Sequence, residues 1–375
     1  MGIRKRKNGE GSITLRSSDG RYSVSLGDIH TTAKDLKSAK GKLKELKASV
    51  ARGEPATVKR LTVEVYMSDW LENYKKNSVK PASYERLTQT FENQVVKNIG
   101  HLQMQAVKAD DIQRMVNAIY SEKSYSTTKK AFDFVNECMR DAVLKRQIIF
   151  NPCEGVKLPK KPTRTVDDEE KFYYTEEQVR AIVTEATAVF SNGTPKYRYG
   201  QVIILLLATG MREGEPLYLK WKNVDFDNKC LRVCGNVVEV DGGIIEQDTP
   251  KTTKSNRVIP LNDNAVRALT EIKDIINDDE RVVATKNGKA VSPSSIRRTM
   301  KSIIKNCDVK GISDVKDRVH ALRHTFAATL IRNGADIKVV SEILGHEDVT
   351  TTLKIYHHVI EEQKRDVVTA IDNIF

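Results

Sequence analysis

Six side chains in this sequence have the chemistry to bind a phosphate and act on it: Arg212, Lys251, His320, Arg323, His346 and Tyr356. Arg212 stands in Ala208-Thr-Gly-Met-Arg-Glu-Gly-Glu215, where glycines on either side suggest a tight turn that presents the guanidinium. A guanidinium is a planar fork of donors that can bond two phosphate oxygens at once. A plain structural pair with Glu215 fits the same spacing. His320 and Arg323 are three apart in Val319-His-Ala-Leu-Arg-His-Thr-Phe326, so on a helix they share a face. A group that moves protons near neutral pH, beside a permanent cation, suits a phosphate in transition. His324 points about 100° away from Arg323 and reads as structural.

The other candidates rest on turns and helix ends. Lys251 lies in Thr249-Pro-Lys-Thr-Thr-Lys-Ser-Asn-Arg257, a basic turn between two strand patterns. Lys254 fits the same role, and Lys254 and Arg257 read as contacts to backbone phosphates. His346 follows Leu344-Gly345, where the glycine reads as a helix C-cap that leaves the histidine on a turn. Tyr356 comes ten residues later, after the threonine cluster Thr350 to Thr352, which reads as a helix N-cap. A tyrosine on an amphipathic helix is as readily a core residue as a nucleophile. No single motif separates catalysis from ordinary packing; their order along the chain is the informative feature.

The elements that must position these groups fall into three blocks. Residues 172–375 open on the capping box Thr175-Glu-Glu-Gln178 and continue through an apolar helix, Val202 to Ala208. A β region follows. Leu231 to Val240 and Gly243 to Asp248 read as strands around an Asp241-Gly242 turn, with a third strand at Arg257 to Pro260. From Ser292 the pattern is helical. Residues 62–157 read as all helix: Thr62 to Tyr74, Pro81 to Val95, a helix opening at Asp110, and Ser126 to Leu144. Residues 1–55 read as a small three-stranded sheet plus a helix. Gly11 to Arg16 and Arg21 to Leu26 alternate about a Ser18-Asp19-Gly20 turn, and Thr31 to Ala51 has helical spacing. Residues 52–61 and the proline- and charge-rich stretch 157–172 read as linkers. The fold class is therefore multidomain and mainly α with small β elements.

Charge locates a second function. The chain carries +12, and residues 1–60, with nine Lys and six Arg against three Asp and three Glu, hold +9 of it. A basic module on a near-neutral body suits a polyanion partner, although a solvated basic tail has the same composition. Arg4, Lys5, Arg6, Lys7, Arg16 and Arg21 are its candidate DNA contacts. The longest apolar run has seven residues, against the roughly 20 of a membrane-spanning helix. The N-terminus has no apolar signal region, and five scattered cysteines suggest reduced thiols, so a cytoplasmic protein with no membrane partner is expected.

Taken together, the ordered motifs TGMREGE, PKTTKSNRVIPL, HALRHTFAATLIRNG and LGHEDVTTTLKIY resemble the catalytic domain of the tyrosine recombinase and integrase family. The helical block resembles that family's core-site-binding domain. The basic N-terminal block resembles the arm-site-binding domain of phage-type and conjugative-transposon integrases. Ala321 departs from the family, which often has Asp there. The resemblance implies that Tyr356 attacks a DNA phosphodiester, forming a 3′-phosphotyrosyl link and releasing a 5′-hydroxyl. Arg212 and Arg323 would clamp the phosphate, Lys251 protonate the leaving oxygen, His320 exchange the tyrosine proton and His346 bond the phosphate. It implies no metal or nucleotide cofactor; the sequence has no P-loop and no evident Mg²⁺ carboxylate cluster. Implied partners are double-stranded DNA at core and arm sites, a homotetramer in the synaptic complex, and accessory DNA-bending or excision factors, with nucleoid association when bound to DNA. Two other readings remain open: a type IB topoisomerase-like enzyme, and a non-catalytic DNA-binding regulator. The amphipathic stretch from Val359 to Phe375 fits docking on a neighbouring protomer or closure of its own domain.

Overall fold

A computed structural model describes residues 11–26, 29–51, 61–162, 173–241, 243–248, 256–315, 318–356 and 359. The chain divides into two compact units, Met1–Pro162 and Thr163–Phe375. Among the described residues no helix is long and apolar enough to cross a membrane.

The first unit holds two separate apolar clusters. Strands β1 (Ser12–Leu15), β2 (Tyr22–Leu26) and β3 (Ile29–Ala33) form an antiparallel sheet in sequence order, followed by helix α1 (Leu36–Ala51). The helix expected from Thr31 thus starts five residues later, and its predicted first residues form the third strand. Thr31 and Thr32 are β-branched and suit a pleated strand. The break comes at Asp35, whose carboxylate accepts the Ser38 backbone N–H at 2.8 Å. Val24, Ala33 and Ala39 close this small core.

Helices α2 (Val63–Trp70), α3 (Pro81–Thr90), α4 (Ala109–Glu122) and α5 (Tyr125–Leu144) build the second cluster. Their starts follow local chemistry: Thr62 and Ser124 accept the backbone N–H groups three residues on, at Val65 and Thr127, and Pro81 occupies the first turn of α3. Trp70 packs edge-on against Phe134 with ring centroids 5.8 Å apart. Its indole N–H donates to Asp141 at 2.9 Å, so the aromatic body is buried without an orphaned donor.

The second unit begins at helix α6 (Glu176–Ala186), where the expected capping box forms: Gln178 N–H donates to Thr175 Oγ1 and Thr175 N–H to the Gln178 side chain. The apolar run becomes α7 (Gly200–Thr209), buried along nearly its whole length. A short helix α8 (Glu215–Tyr218) leads into β4 (Val224–Asp225), β5 (Cys230–Val233), β6 (Asn236–Val240), β7 (Gly243–Gln247) and β8 (Arg257–Pro260). The single strand expected over Leu231 to Val240 is two. β5 lies between β4 and β8, while among the described residues β6 pairs with β7 alone, as a hairpin. Helices α9 (Asp263–Ile276), α10 (Pro293–Asn306), α11 (Arg318–Arg332), α12 (Ile337–Leu344) and α13 (Val349–Ile355) complete the unit. One large core joins α7, α9, α10 and β5. A smaller cluster gathers Ala327, Ala328 and Ile331 of α11, Val340 and Leu344 of α12, and Tyr356.

Candidate active site

The site assembles where four elements of the second unit end. Helix α7 stops at Gly210, whose φ of 64° is left-handed and whose N–H donates to Leu206 O at 3.0 Å. A Cβ there would meet the Phe326 ring at 2.4 Å, so glycine is needed for packing as well as for conformation. The turn that follows presents Arg212. Its backbone N–H donates to Glu215 at 2.7 Å and its guanidinium to the same carboxylate at 3.0 Å. The Arg212–Glu215 pair considered from sequence is therefore present, yet the Arg212 side chain stays 39% exposed.

Glu215 is only 4% exposed and also receives both terminal nitrogens of Arg257, at 2.9 and 2.8 Å. Burial alone would raise its carboxyl, but the hydrogen bonds and charge of Arg257, with the charges of Arg212 and Arg323, outweigh that and hold it below the ordinary glutamate value. Arg257 corrects a reading made from sequence. Expected to face backbone phosphates, it is buried, because β8 alternates and Arg257 shares the inward face with Ile259. Its guanidinium is engaged inside the protein.

The three arginines hold consecutive carbonyls at one helix end. Arg257 donates to Ile343 O at 2.6 Å, Arg323 to Leu344 O at 2.7 Å and Arg212 to Gly345 O at 3.0 Å. These are the orphan acceptors that close α12, where the helix dipole is negative. Arg323 also donates to Gly210 O at 2.7 Å, tying the α12 end to the α7 end. Burial and the charge of Arg212 push the Arg323 pKa down to about 9, which leaves it cationic at neutral pH. Three guanidinium groups around one carboxylate leave the cluster positive, a cost that an incoming anion relieves.

Gly345 caps α12 in the left-handed conformation, as expected, and leaves His346 on the following turn. His346 Nδ1 lies 2.8 Å from Thr352 Oγ1 on α13. The cap of α13 is not the threonine cluster but Asp348, which accepts the Thr350 N–H at 2.9 Å. Burial first, then the charges of Arg323, Arg212 and Arg257, lower the His346 pKa to about 4, so it is a neutral imidazole. Tyr356 directly follows α13 and is 1% exposed. Burial pushes its hydroxyl pKa upward, against the charge of Arg323.

Of the six candidates, the structure brings Arg212, Arg323, His346 and Tyr356 together, with the exposed His320 on the same helix as Arg323. Lys251 and Lys254 lie outside the described residues, as do Arg4, Lys5, Arg6 and Lys7. Arg16 and Arg21 are exposed on the β1–β2 hairpin, and Arg16 pairs with Asp19 at 3.7 Å. Two residues were missed from sequence. Glu215 had been weighed only as a partner for Arg212. His324, read as structural, places Nδ1 2.9 Å from Tyr356 Oη. Its signal was the spacing from His320, since i and i+4 share a face; the two rings meet edge-on with centroids 4.7 Å apart. The first unit contributes a polar groove lined by Arg86, Asn93, Gln94, Lys97, Lys123 and Lys130, with Glu122, Asp133 and Glu137 among its other residues. Among the described residues no group of His, Cys, Asp and Glu is placed to hold a metal ion.

Arg212, the buried Arg257 and Arg323, two histidines and a tyrosine thus meet on converging helix ends. The family model described as "Phage integrase family" matches residues 173–363, just over half of the chain. A model described as "Phage integrase, N-terminal SAM-like domain" matches residues 62–120. The chain belongs to the phage integrase family, and with it to the tyrosine site-specific recombinases, which are DNA strand transferases. It is 28% identical to a tyrosine recombinase XerC-like protein of Caldanaerobacter subterraneus subsp. tengcongensis, covering 91% of this chain and 90% of the relative. It is 24% identical to the integrase of Staphylococcus phage L54a, covering 88% and 98%. Among solved structures, the Tn1549 transposon integrase in complex with transposon right end DNA superposes with a TM-score of 0.64 at 21% identity, over 82% of this chain and all of that one. A lambda integrase tetramer bound to a Holliday junction gives 0.58 at 14% identity, over 94% and 96%. At these identities the structural matches establish the shared fold.

Proposed function

We propose that this chain integrates and excises a mobile element, with Tyr356 as the residue that attacks the scissile phosphate. The observation that carries this reading is the convergence of the Arg212, Arg257 and Arg323 guanidiniums beside His346 and Tyr356, with positive charge in excess of Glu215. Tyr356 Oη forms the new bond to phosphorus while the bond to the 5′-oxygen breaks. The phosphotyrosyl ester conserves the linkage, and the freed 5′-hydroxyl of another strand reverses the step. Arg212 and Arg323 stabilise the charge that grows on the phosphoryl oxygens, and His346 donates a hydrogen bond to them. His320 exchanges the tyrosine proton, and Lys251, with Lys254 as the alternative, protonates the leaving oxygen.

The reading assigns residues 172–375 to catalysis, 62–157 to the core site and 1–55 to arm sites. The polar groove of the helical block, where Arg86, Lys97, Lys123 and Lys130 outnumber Glu122, Asp133 and Glu137 by one charge, supports the core-site role. The lambda integrase tetramer bound to a Holliday junction supports a homotetramer of this chain on two core sites; DNA-bending or excision factors are proposed as its further partners. Covalent trapping tests it. A nicked duplex that wild-type protein captures from a randomised pool should form an adduct stable to detergent, and Tyr356→Phe should bind that duplex without forming it. The reading would be falsified if Tyr356→Phe still formed the adduct. Plasmid relaxation with no strand exchange between two captured sites would favour the topoisomerase-like reading instead. Deleting residues 1–55 should spare adduct formation and weaken binding to distant sites, and unchanged distant-site binding would sink the arm assignment.

A further inference from the structure

His324 touches both His320 and Tyr356, on α11 one turn beyond His320. Its ring meets the His320 ring edge-on and the Tyr356 ring at a 59° tilt with centroids 5.9 Å apart. Its Nδ1 lies 2.9 Å from Tyr356 Oη, across 32 residues of sequence, so the contact is made by tertiary packing. The partner ring of Tyr356 is locked among Ala327, Ala328, Ile331, Val340 and Leu344. Within that apolar cluster the hydroxyl needs a polar partner, because a buried hydroxyl without one loses its hydrogen bond to water and gains nothing in return.

The protonation states decide who donates. Burial first, then His320, Arg323 and His346, hold His324 at a pKa of about 3, and burial raises that of Tyr356. At neutral pH a protonated phenol therefore faces an uncharged imidazole. A neutral imidazole has one N–H and one bare nitrogen. If Nδ1 carried the hydrogen it would occupy a lone pair of the tyrosine oxygen, the electrons that must reach phosphorus. With the hydrogen on Nε2, Nδ1 accepts from the hydroxyl and leaves both oxygen lone pairs open.

We infer that His324 is a further residue of the active site, which orients the Tyr356 hydroxyl for attack by accepting its hydrogen bond at Nδ1. The inference rests on the recombinase reading for the attack, on the 2.9 Å contact for the hydrogen bond, and on the neutral imidazole and protonated phenol for its direction. It assigns His324 a role separate from that of His320, and it makes the position of one ring nitrogen the essential feature. Asparagine carries a side-chain polar atom where Nδ1 stands, whereas glutamine carries one nearer Nε2, so the two amides separate orientation from bulk.

The test uses the full chain and the duplex captured by wild-type protein. His324→Phe keeps a ring but no acceptor, and should slow adduct formation at saturating DNA about 30-fold, because small misplacements of a reacting group can cost up to about 10²-fold. The DNA concentration for half-maximal rate should not change. His324→Asn should recover to within about threefold of wild type, and His324→Gln should not. Equal rates for His324→Phe and wild type, or an Asn variant as slow as the Phe variant with unaltered DNA binding and melting, would overturn the inference while leaving the Tyr356→Phe result intact. A second measurement needs no DNA. In the ¹⁵N spectrum of labelled full-length protein, His324 Nδ1 should be unprotonated at pH 7 and should shift in Tyr356→Phe. A protonated Nδ1, or no shift, would overturn it even if the rates agreed. Failure of wild-type protein to capture any duplex would instead remove the recombinase reading, and with it the role in attack.

Discussion

The two sides of the active site are held in different ways. On the cation side, Arg212, Arg257 and Arg323 are bonded to Glu215, to Gly210 O and to three consecutive carbonyls at the end of α12. Those bonds come from α7, β8, α11 and α12 at once, so no single element can shift without breaking several. On the side of the proposed nucleophile, the Tyr356 side chain is held by a small apolar cluster and a hydrogen bond to His324. The difference matches what each side must do. Donors that stabilise growing charge work best when fixed beforehand, because they then need no reorganisation as the reaction proceeds. A nucleophile that must attack, remain bound as an ester and leave again is better placed on a short helix end with few ties.

This contrast can be broken from either side. The largest effect is expected from Arg323→Lys, which loses the fork between Gly210 O and Leu344 O: adduct formation should fall about 10²–10³-fold, with DNA binding largely kept. Quench-flow trapping of the adduct measures it, and a fall below tenfold would show that the cation side is not rigid. Glu215→Gln leaves the buried Arg257 and Arg323 and the part-exposed Arg212 without a neighbouring carboxylate. It should destabilise the second unit by about 3 kcal/mol, read as a lower urea midpoint for its unfolding.

The pH dependence comes next. His324 and His346 are held at about 3 and about 4, below the ordinary histidine value near 6.5. Above that value neither the folded nor the unfolded chain binds protons there. As the pH falls, the unfolded chain takes them up first, so stability is lost from about pH 6.5 downward until the folded pKa values are reached. The slope should be about 2–2.5 kcal/mol per pH unit between pH 6 and 4.5, and about half that in His324→Asn; urea unfolding across that range checks the sign. The smallest effect is expected from Thr352→Val, which removes the 2.8 Å hydrogen bond to His346 Nδ1. It should slow adduct formation about fivefold, since one neutral hydrogen bond is worth about 1 kcal/mol. A loss as large as that of Arg323→Lys would place His346 with the rigid side.

Much of this was legible before the fold. The capping box at Thr175, the apolar α7, the glycine that caps α12 and the strand at Arg257 to Pro260 are local patterns, and each forms where its residues dictate. The order of the arginine, histidine and tyrosine motifs identified the family because those residues are recognised jointly. Two local readings failed for the same reason. Thr31 to Ala33 has helical spacing with Leu36, but β2 offers it a partner edge. Leu231 to Val240 alternates as one strand, but β8 and β7 take its two halves separately.

The sequence by itself determined which chemistry the chain carries, because side-chain type and spacing fix what a guanidinium, an imidazole and a phenol can do. Tertiary structure alone decided which of those groups meet. Arg257 follows a basic turn and looks like a surface cation, yet strand parity turns it inward onto Glu215. His324 lies off the Arg323 direction, yet the packing of α11 against the α12–α13 segment brings it to the tyrosine hydroxyl. Both contacts span more than 30 residues, and no local spacing rule reaches that far.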